Sequence, residues 1–262
     1  LRTNLFFKYN LASLTREKIH IPFAFAGDPF QTINPTGFRW SQLQASFHDV
    51  VEELYLGDQY DSSESLGVIR LELQELKQNY RSTRSIVDFS NLIQYYRKFF
   101  TGEEKIAPQN TWFTQFEEVT ELEKSPVPIF FVGSSIQDAD IKQKPQAIIV
   151  PVDEDKIADY VQNDPILKKL AEEQTIMGEK HKEGKAYANI FSCMQIKGLE
   201  LPRVLLYNFG QEAREMFHRL VECLNREKQL SESEEIEAAY FFNKLYVAAT
   251  RAQMAMFIVD AQ

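Results

Sequence analysis

Four short blocks of the sequence contain residue types that bind phosphates, sugars and bases, and each block adjoins an apolar run. The first, AGDPFQ, carries Asp28 and Gln31 at the end of the apolar run 21–27. Ligands in α/β sheets bind at the carboxyl ends of strands, so this acid and amide could orient water or contact a terminal phosphate. Asp and Pro also form ordinary type I turns, and the same residues fit a simple strand-to-loop turn.

The second block, LKQNYRS, places Tyr80 and Arg81 between the apolar run 68–73 and a helical pattern. A guanidinium can make a forked, charge-assisted contact with phosphate. A tyrosine ring can stack on a base. The alternative is a surface arginine beside a half-buried tyrosine, which proteins use often.

The third block is FSCMQIKGLELPRVLLYNF, in which one apolar run stops at Lys197 and Gly198 and another follows Pro202. Gly198 allows close backbone approach to a ligand, and Lys197 is a mobile positive charge for phosphate. Glu200 could accept hydrogen bonds from ribose hydroxyls, as acids do in dinucleotide folds. A plain strand–turn–strand unit is the alternative.

The fourth block, KLYVAATRAQMAMFIV, ends a small-residue helix at Arg251 before an apolar strand. An arginine at the end of a rigid element could act as a finger that stabilises charge on a transferring phosphoryl group. It could equally cap the helix carboxyl terminus, where the helix dipole favours a cation.

The elements that must position these blocks alternate between short apolar runs and helical patterns. This alternation predicts an α/β fold with a mostly parallel sheet. Helices are expected over 83–99 and 211–230, and a third should run through AAYFFNKLYVAATRA from a capping box at Ser231 and Glu234. Asp153 and Glu154 fit the first turn of a helix. The predicted strands are 21–27, 68–73, 127–132, 147–152, 187–194, 203–208 and 254–259.

Composition restricts the class of protein. The chain has 262 residues, 44% hydrophobic and 26% charged, enough for one large or two small folded domains. No run approaches the length of a membrane span. Two cysteines without paired spacing argue against a disulfide scaffold or a zinc site and predict a reducing compartment, the cytoplasm or nucleus. A net charge of −9 argues against a large DNA footprint but allows a narrow cleft.

The order of the blocks GDPFQ, QNYRS, MQIKGLE and YVAATRA resembles motifs three to six of superfamily 1 helicases of the UvrD/Rep/PcrA type. The family forms read roughly GDxxQSIY, QNYRS, TxHxxKGLE and YVAxTRA. The resemblance extends over about residues 20–260. It implies a RecA-like fold of the P-loop NTPase type, in proteins that clamp ATP between two RecA-like domains and move along single-stranded DNA.

The resemblance also implies roles for individual residues at the nucleotide. Arg81 would contact the γ-phosphate, Tyr80 would stack on adenine and Glu200 would bind the ribose. Lys197 and Gly198 would line the nucleotide cleft. Asp28 and Gln31 would couple the γ-phosphate to the DNA site. Arg251 would be the arginine finger that completes the catalytic site.

A second set of residues would contact the nucleic acid. Phe38 and Trp40 lie where the family carries base-stacking aromatics, and Ser192 lies in the block before KGLE. Stacking of ~1–3 kcal/mol per base suits tracking that is independent of sequence. The expected partner is single-stranded DNA, with RNA left open. Met194 departs from the family histidine and Asn34-Pro35 from the usual Ile-Tyr, which weakens the inferred contacts there.

Two family motifs are not found in this sequence. GEKHKEGKA has the wrong glycine spacing for a P-loop and an alanine in place of its hydroxyl residue, and no DExQ acid pair precedes GDPFQ. We therefore expect the chain to begin just after the magnesium-binding acids. Residues 1–60 would be the tail of the first RecA-like domain and 61–262 the second, with a reduced or absent insertion subdomain. The missing domain of the same polypeptide would be a partner, and the fragment alone would bind neither ATP nor Mg²⁺ productively.

Two other functions compete with a motor. A degenerate helicase half could be a non-catalytic interaction module, which the acidic composition and the substituted motif positions favour. A small-molecule α/β enzyme has little support, because the sequence has no cluster of nucleophile, base or metal ligands.

Overall fold

The structure is a computed structural model, and it describes residues 31, 45–50, 78–101, 108–111, 129–132, 145–175, 187, 189–226 and 229–260. The chain divides into two compact units, Leu1–Glu75 and Leu76–Gln262. In the first unit, residues 45–50 are helical and bury Phe47 and Val50. The predicted domain boundary at 60/61 and the predicted strands 21–27 and 68–73 lie outside the described residues.

The second unit contains a parallel five-stranded sheet. In chain order its strands are β3 (Ile129–Val132), β4 (Ala147–Val150), β5 (Ile190–Ser192), β6 (Leu201–Tyr207) and β7 (Ala252–Val259). They lie side by side in the order β3-β7-β6-β4-β5, and every pairing is parallel. The predicted α/β class and parallel sheet are confirmed.

A small parallel ribbon precedes the sheet, formed by β1 (Gln78–Asn79) and β2 (Asn110–Thr111). The helices of the second unit are α1 (Arg84–Thr101), α2 (Ile157–Asn163), α3 (Pro165–Thr175), α4 (Cys193–Ile196), α5 (Phe209–Glu212), α6 (Arg214–Asn225) and α7 (Glu232–Ala249).

The strands are apolar because both faces of the sheet are covered. All four residues of β4 are buried, and so are the last four of β6. Parallel sheets read as continuous apolar runs for this reason. Pro202 is tolerated near the start of β6 because the pairing with β7 is irregular between Leu201 and Arg203, and proline is confined to such positions.

Two long helices, α1 and α7, pack against each other and against β7. The predicted capping box opens α7: the Ser231 hydroxyl accepts from the Glu234 N–H, and the Glu234 carboxylate accepts from the Ser231 N–H. Of the two acids predicted to open a helix, Asp153 is the N-cap and Glu154 the first residue of a 3-10 turn, Glu154–Lys156, that leads into α2.

Two predicted elements differ from the structure by more than a residue or two at their ends. The strand expected over 187–194 ends at Ser192, because a capping box between Ser192 and Gln195 turns the next residues into α4. The helix expected over 211–230 is two helices. Asn208, with a left-handed φ of 58°, starts the short α5, and Ala213 at ψ 0° separates it from α6. In the described residues, no helix has the length and apolar character needed to cross a membrane.

Candidate functional site

Three of the four blocks meet at the amino edge of the sheet, where β6 and β7 begin. Glu200 directly precedes β6, and Arg251 directly precedes β7. The Leu201 N–H donates to the Arg251 carbonyl oxygen at 3.0 Å, which holds the two strand starts side by side. The sheet pairing of two distant segments therefore brings KGLE and VAATRA together.

QNYRS is attached to the same edge through its last residue and the residue that follows. The buried Ser82 hydroxyl donates to the Ala252 carbonyl oxygen at 2.7 Å. The Thr83 N–H donates to the Gln253 carbonyl oxygen at 2.9 Å. Arg81 is thus held beside the start of β7, at the point where α1 is about to begin.

Arg81 and Glu200 form an ion pair at this edge. Arg81 Nη2 lies 2.5 Å from Glu200 Oε1, and the two side chains are 36% and 41% exposed. Gln253 Nε2 donates to the other Glu200 oxygen at 3.4 Å.

Tyr80 presents the most exposed large aromatic surface of the described residues, at 68%. Its hydroxyl donates to the Gln78 side-chain oxygen two residues earlier. The ring therefore lies on the surface next to Arg81. A ring in that position is suited to stacking on a planar group.

Arg251 is buried, with 2% of its surface exposed. Its Nε donates to the Val247 carbonyl oxygen at 3.0 Å, Nη1 to the Leu199 carbonyl oxygen at 3.2 Å and Nη2 to the Thr250 hydroxyl at 3.1 Å. These contacts match the alternative considered from the sequence, an arginine at the carboxyl end of a helix. They also link the end of α7 to the KGLE turn through Leu199.

The KGLE turn depends on its glycine. Gly198 has φ of 91°, a conformation that favours residues without a side chain. Lys197, before it, is exposed. On the other side of α4, Ser192 is buried and its hydroxyl accepts from the Gln195 N–H at 3.2 Å. The predicted nucleic-acid contact of Ser192 stays a prediction, although its side chain faces Gln195 here.

The remaining predicted site residues lie in the first unit. Gln31 is half-buried, and its role stays a prediction. Asp28, Phe38 and Trp40 lie outside the described residues.

Two residues of the site were not singled out from the sequence. Gln253 supports Glu200, and Asn79 caps the turn that carries Arg81: its Oδ1 accepts from the N–H groups of Arg81 and Ser82 at 2.9 and 3.0 Å. Asn79 is a letter of QNYRS, and asparagine before a helix is a known turn former. Gln253 lies two residues beyond Arg251 on a strand, which gives no comparable signal.

Other chemistry finds little support near the site. Burial raises the pKa of the Cys193 thiol to about 12, so it is protonated at neutral pH and a poor nucleophile. Within the described ranges, no group of three His, Cys, Asp or Glu side chains could hold a metal ion. The solvent-accessible side chains described at this edge include those of Arg81, Glu200 and Tyr80.

Comparisons with known proteins include a distant structural likeness. No family model matches the chain, and no curated protein matches it. A solved structure described as the C-terminal domain of a possible DNA helicase from Lactobacillus plantarum WCFS1 is similar at 16% sequence identity and a TM-score of 0.24. The match covers 70% of this chain and 87% of that one.

Proposed function

We propose that this chain is the C-terminal motor portion of an ATP-dependent superfamily 1 DNA helicase or translocase. The observation that carries the proposal is the meeting of QNYRS, KGLE and VAATRA at one edge of a parallel sheet. These blocks are far apart in sequence, yet Arg81 pairs with Glu200 and Arg251 donates to the carbonyl next to Glu200. A parallel sheet of this kind is compatible with a RecA-like domain.

The exposed groups at this edge match the parts of a nucleotide. The Arg81 guanidinium suits a phosphate, because it can donate two parallel hydrogen bonds to it. The Glu200 carboxylate suits ribose hydroxyls. The Tyr80 ring suits a purine. Binding would separate Arg81 from Glu200, and because surface ion pairs contribute only about 0–1 kcal/mol, that exchange costs little.

The buried state of Arg251 changes the role proposed for it. Its donors bind carbonyl and hydroxyl oxygens of the chain, so in this state it fixes the position of the KGLE turn. It could contact a phosphoryl group only after leaving some of these partners. We therefore assign Arg81 the direct phosphate contact and Arg251 the task of joining α7 to the Glu200 segment.

ATP and Mg²⁺ are proposed cofactors of the complete motor. The P-loop and the magnesium ligands would come from a preceding segment of the same polypeptide. ATP bound there would supply the transferable phosphoryl group, and Arg81, Glu200 and Tyr80 would bind and orient the nucleotide. Single-stranded DNA is the proposed partner, through Phe38, Trp40 and Ser192, while Asp28 and Gln31 would couple the nucleotide to it. The chain alone is expected to show no ATP turnover.

The decisive experiment compares two arginines three positions apart. The chain is joined to the segment encoded upstream of Leu1, and ATPase activity is measured with and without single-stranded DNA. We expect DNA-stimulated turnover to fall on the order of 10³-fold in Arg81→Ala, a loss of the size that removal of a phosphate-contacting arginine causes. Arg84→Ala is the matched control, since Arg84 is exposed on α1 and pairs only loosely with Asp88 at 3.7 Å. Equal activity in both variants would reject the proposal.

A second candidate, a non-catalytic interaction module, is favoured by a different surface. The outer face of α1 exposes an apolar stripe at helical spacing, made of Leu92, Tyr95, Tyr96 and Phe99. Exposed apolar patches often mark protein interfaces. The same ATPase assay separates the two functions, because a module would show no DNA-stimulated turnover in the joined protein.

A further inference from the structure

The orientation of the Asn79 side chain decides how the Arg81 turn is held. Asn79 Oδ1 accepts two hydrogen bonds, from the backbone N–H groups of Arg81 and Ser82. An amide rotated by 180° would present its NH₂ group to those donors instead, and both bonds would be lost. The geometry of the turn therefore requires one of the two amide orientations.

Gln109, which lies outside the QNYRS block, contacts the Asn79 amide in that orientation. Gln109 Oε1 accepts from Asn79 Nδ2 at 3.1 Å. With the Gln109 amide in this orientation, its oxygen would face the Asn79 oxygen if the Asn79 amide rotated, so the contact favours the Asn79 orientation that caps Arg81 and Ser82. Gln109 lies 30 residues from Asn79 in sequence, just before β2, so β1–β2 pairing brings the two together.

The backbone of Gln109 is in turn held by Asn91 on α1. The Gln109 N–H donates to Asn91 Oδ1 at 3.0 Å, and Asn91 Nδ2 donates to the Gln109 carbonyl oxygen at 2.9 Å. This reciprocal pair mimics the hydrogen bonding between two strands. A side-chain clamp, defined here as Asn79, Gln109 and Asn91, thus joins β1, the start of β2 and α1.

The clamp and the sheet hold Arg81 from two sides. The clamp fixes the backbone N–H of Arg81 itself. On the other side, Ser82 is bonded to the Ala252 carbonyl oxygen of β7. The arginine that reaches Glu200 is therefore attached to a short backbone segment with little freedom, and positioning of this kind supports catalysis in general.

We propose that Gln109 and Asn91 are positioning residues for Arg81, acting through Asn79. The inference rests on the proposed function for its catalytic consequence, because Arg81 is taken there as the phosphate contact. Its structural part does not depend on any activity. Neither residue belongs to the four blocks that define the resemblance.

The test uses two substitutions of similar size at Gln109. Gln109→Met removes the acceptor, and Gln109→Glu keeps an acceptor for Asn79 Nδ2. Amide hydrogen exchange of the 262-residue chain is followed by NMR at Arg81 and Ser82, with the buried Leu205 amide of β6 as a measure of global stability. We expect exchange at Arg81 and Ser82 to rise roughly tenfold in Gln109→Met, as loss of a hydrogen bond predicts, and to stay near wild type in Gln109→Glu.

Two outcomes would overturn the proposal. Unchanged exchange at Arg81 and Ser82 in Gln109→Met would show that Asn79 keeps its orientation without Gln109. Equal acceleration at Leu205 would show a general loss of stability, and the positioning role would be rejected in favour of a structural one. Asn91→Leu, which releases the Gln109 backbone, is expected to reproduce Gln109→Met.

Turnover of the joined protein tests the catalytic consequence separately. We expect Gln109→Met to lower kcat more than it changes KM for ATP, and we expect kcat of Gln109→Glu to stay near wild type. Adding Gln109→Met to Arg81→Ala should lower kcat no further, because the effects of residues acting through one group are not additive. An additive loss of kcat in the double variant would show that Gln109 does not act through Arg81. If Arg81→Ala leaves turnover unchanged, the proposed function fails. The hydrogen-exchange data alone then test whether Gln109 and Asn91 position the Arg81 backbone.

Discussion

The Arg81 guanidinium and the Glu200 carboxylate lie 2.5 Å apart at the amino edge of the sheet, joining two segments that are far apart in the chain. Both side chains are more than one-third exposed, so water screens the attraction. The short distance therefore shows that the two segments are adjacent, but the pair contributes little to the free energy of unfolding. The change in unfolding free energy on removing either charge distinguishes a functional ion pair from a structural one.

We expect Arg81→Gln and Glu200→Gln each to lower the free energy of unfolding by less than about 1 kcal/mol, as exposed ion pairs do. Urea unfolding of the chain and of the two variants measures this. Glu222→Gln is the matched control, since Glu222 pairs with Arg226 at 2.7 Å on an exposed helix face. A loss above ~2 kcal/mol at Arg81 or Glu200 alone would make the pair structural, because that exceeds the range for exposed pairs.

The sheet was predictable because its strands are buried on both faces. A run such as AIIV has no polar residue to alternate with, and burial of all four residues explains why. The α7 cap was predictable because Ser and Glu three residues apart form a local motif whose geometry needs no tertiary contact. The resemblance assigned both Arg81 and Glu200 to one nucleotide but predicted no contact between them, and the ion pair is a finding of the structure.

Other features depend on contacts that a linear pattern does not contain. The end of β5 at Ser192 comes from a capping box inside an apolar run, where periodicity indicated a longer strand. The burial of Arg251 depends on a carbonyl of Leu199 that β6–β7 pairing brings close. The clamp at Gln109 joins residues that neither spacing nor composition relates.

Arg251 should be important for stability. Arg251→Ala would remove the donor that reaches the Leu199 carbonyl oxygen and would leave the Val247 carbonyl oxygen with the Thr250 hydroxyl, and Arg251→Lys could not reproduce three divergent hydrogen bonds. We expect Arg251→Ala to cost roughly 2–4 kcal/mol, since hydrogen bonds to charged groups contribute more than neutral ones and unpaired partners add to the loss. Urea unfolding measures it, with exposed Arg84→Ala as the control. A change under ~1 kcal/mol, the range of surface substitutions, would contradict the buried geometry.

Gly198→Ala should strain the KGLE turn. A methyl group there meets no atom within 4 Å, so the cost is conformational: φ of 91° is unfavourable for alanine. We expect a loss of ~1–2 kcal/mol, the cost of a left-handed conformation for a residue with a side chain. Thermal and urea unfolding measure it. A neutral or stabilising result would show that the turn adopts negative φ in solution, since Gly→Ala at a compatible site stabilises.

The two cysteines should differ in reactivity. Cys193 is buried, and burial raises its pKa to about 12, while Cys223 is partly exposed on α6. At pH 8 almost none of the Cys193 thiol is ionised, and the thiolate is the reactive form. A thiol-specific reagent should therefore label one site in the native chain and two in urea. Cys223→Ser should abolish native labelling, and persistent labelling of that variant would contradict the burial of Cys193.

Tyr207 should make the chain less stable at alkaline pH. Its buried hydroxyl donates to Asp164 Oδ2 at 2.7 Å, and burial, reinforced by that bond, raises its pKa above the usual 10.0. The folded state then holds a proton that the unfolded state releases. Since stability changes with pH according to the protons bound in each state, this contribution is fully present below pH 10 and is lost as the pH rises above it.

Tyr207→Phe tests this dependence because it removes the titrating group and keeps the ring. At pH 7 the variant should be less stable by about 1 kcal/mol through the lost hydrogen bond. Above pH 10 its stability should fall less steeply than that of wild type, so the two curves converge. Urea unfolding between pH 7 and 11 measures both slopes. The exposed Tyr95→Phe is the control and should follow wild type. Parallel curves for Tyr207→Phe and wild type would show that Tyr207 does not govern the alkaline loss.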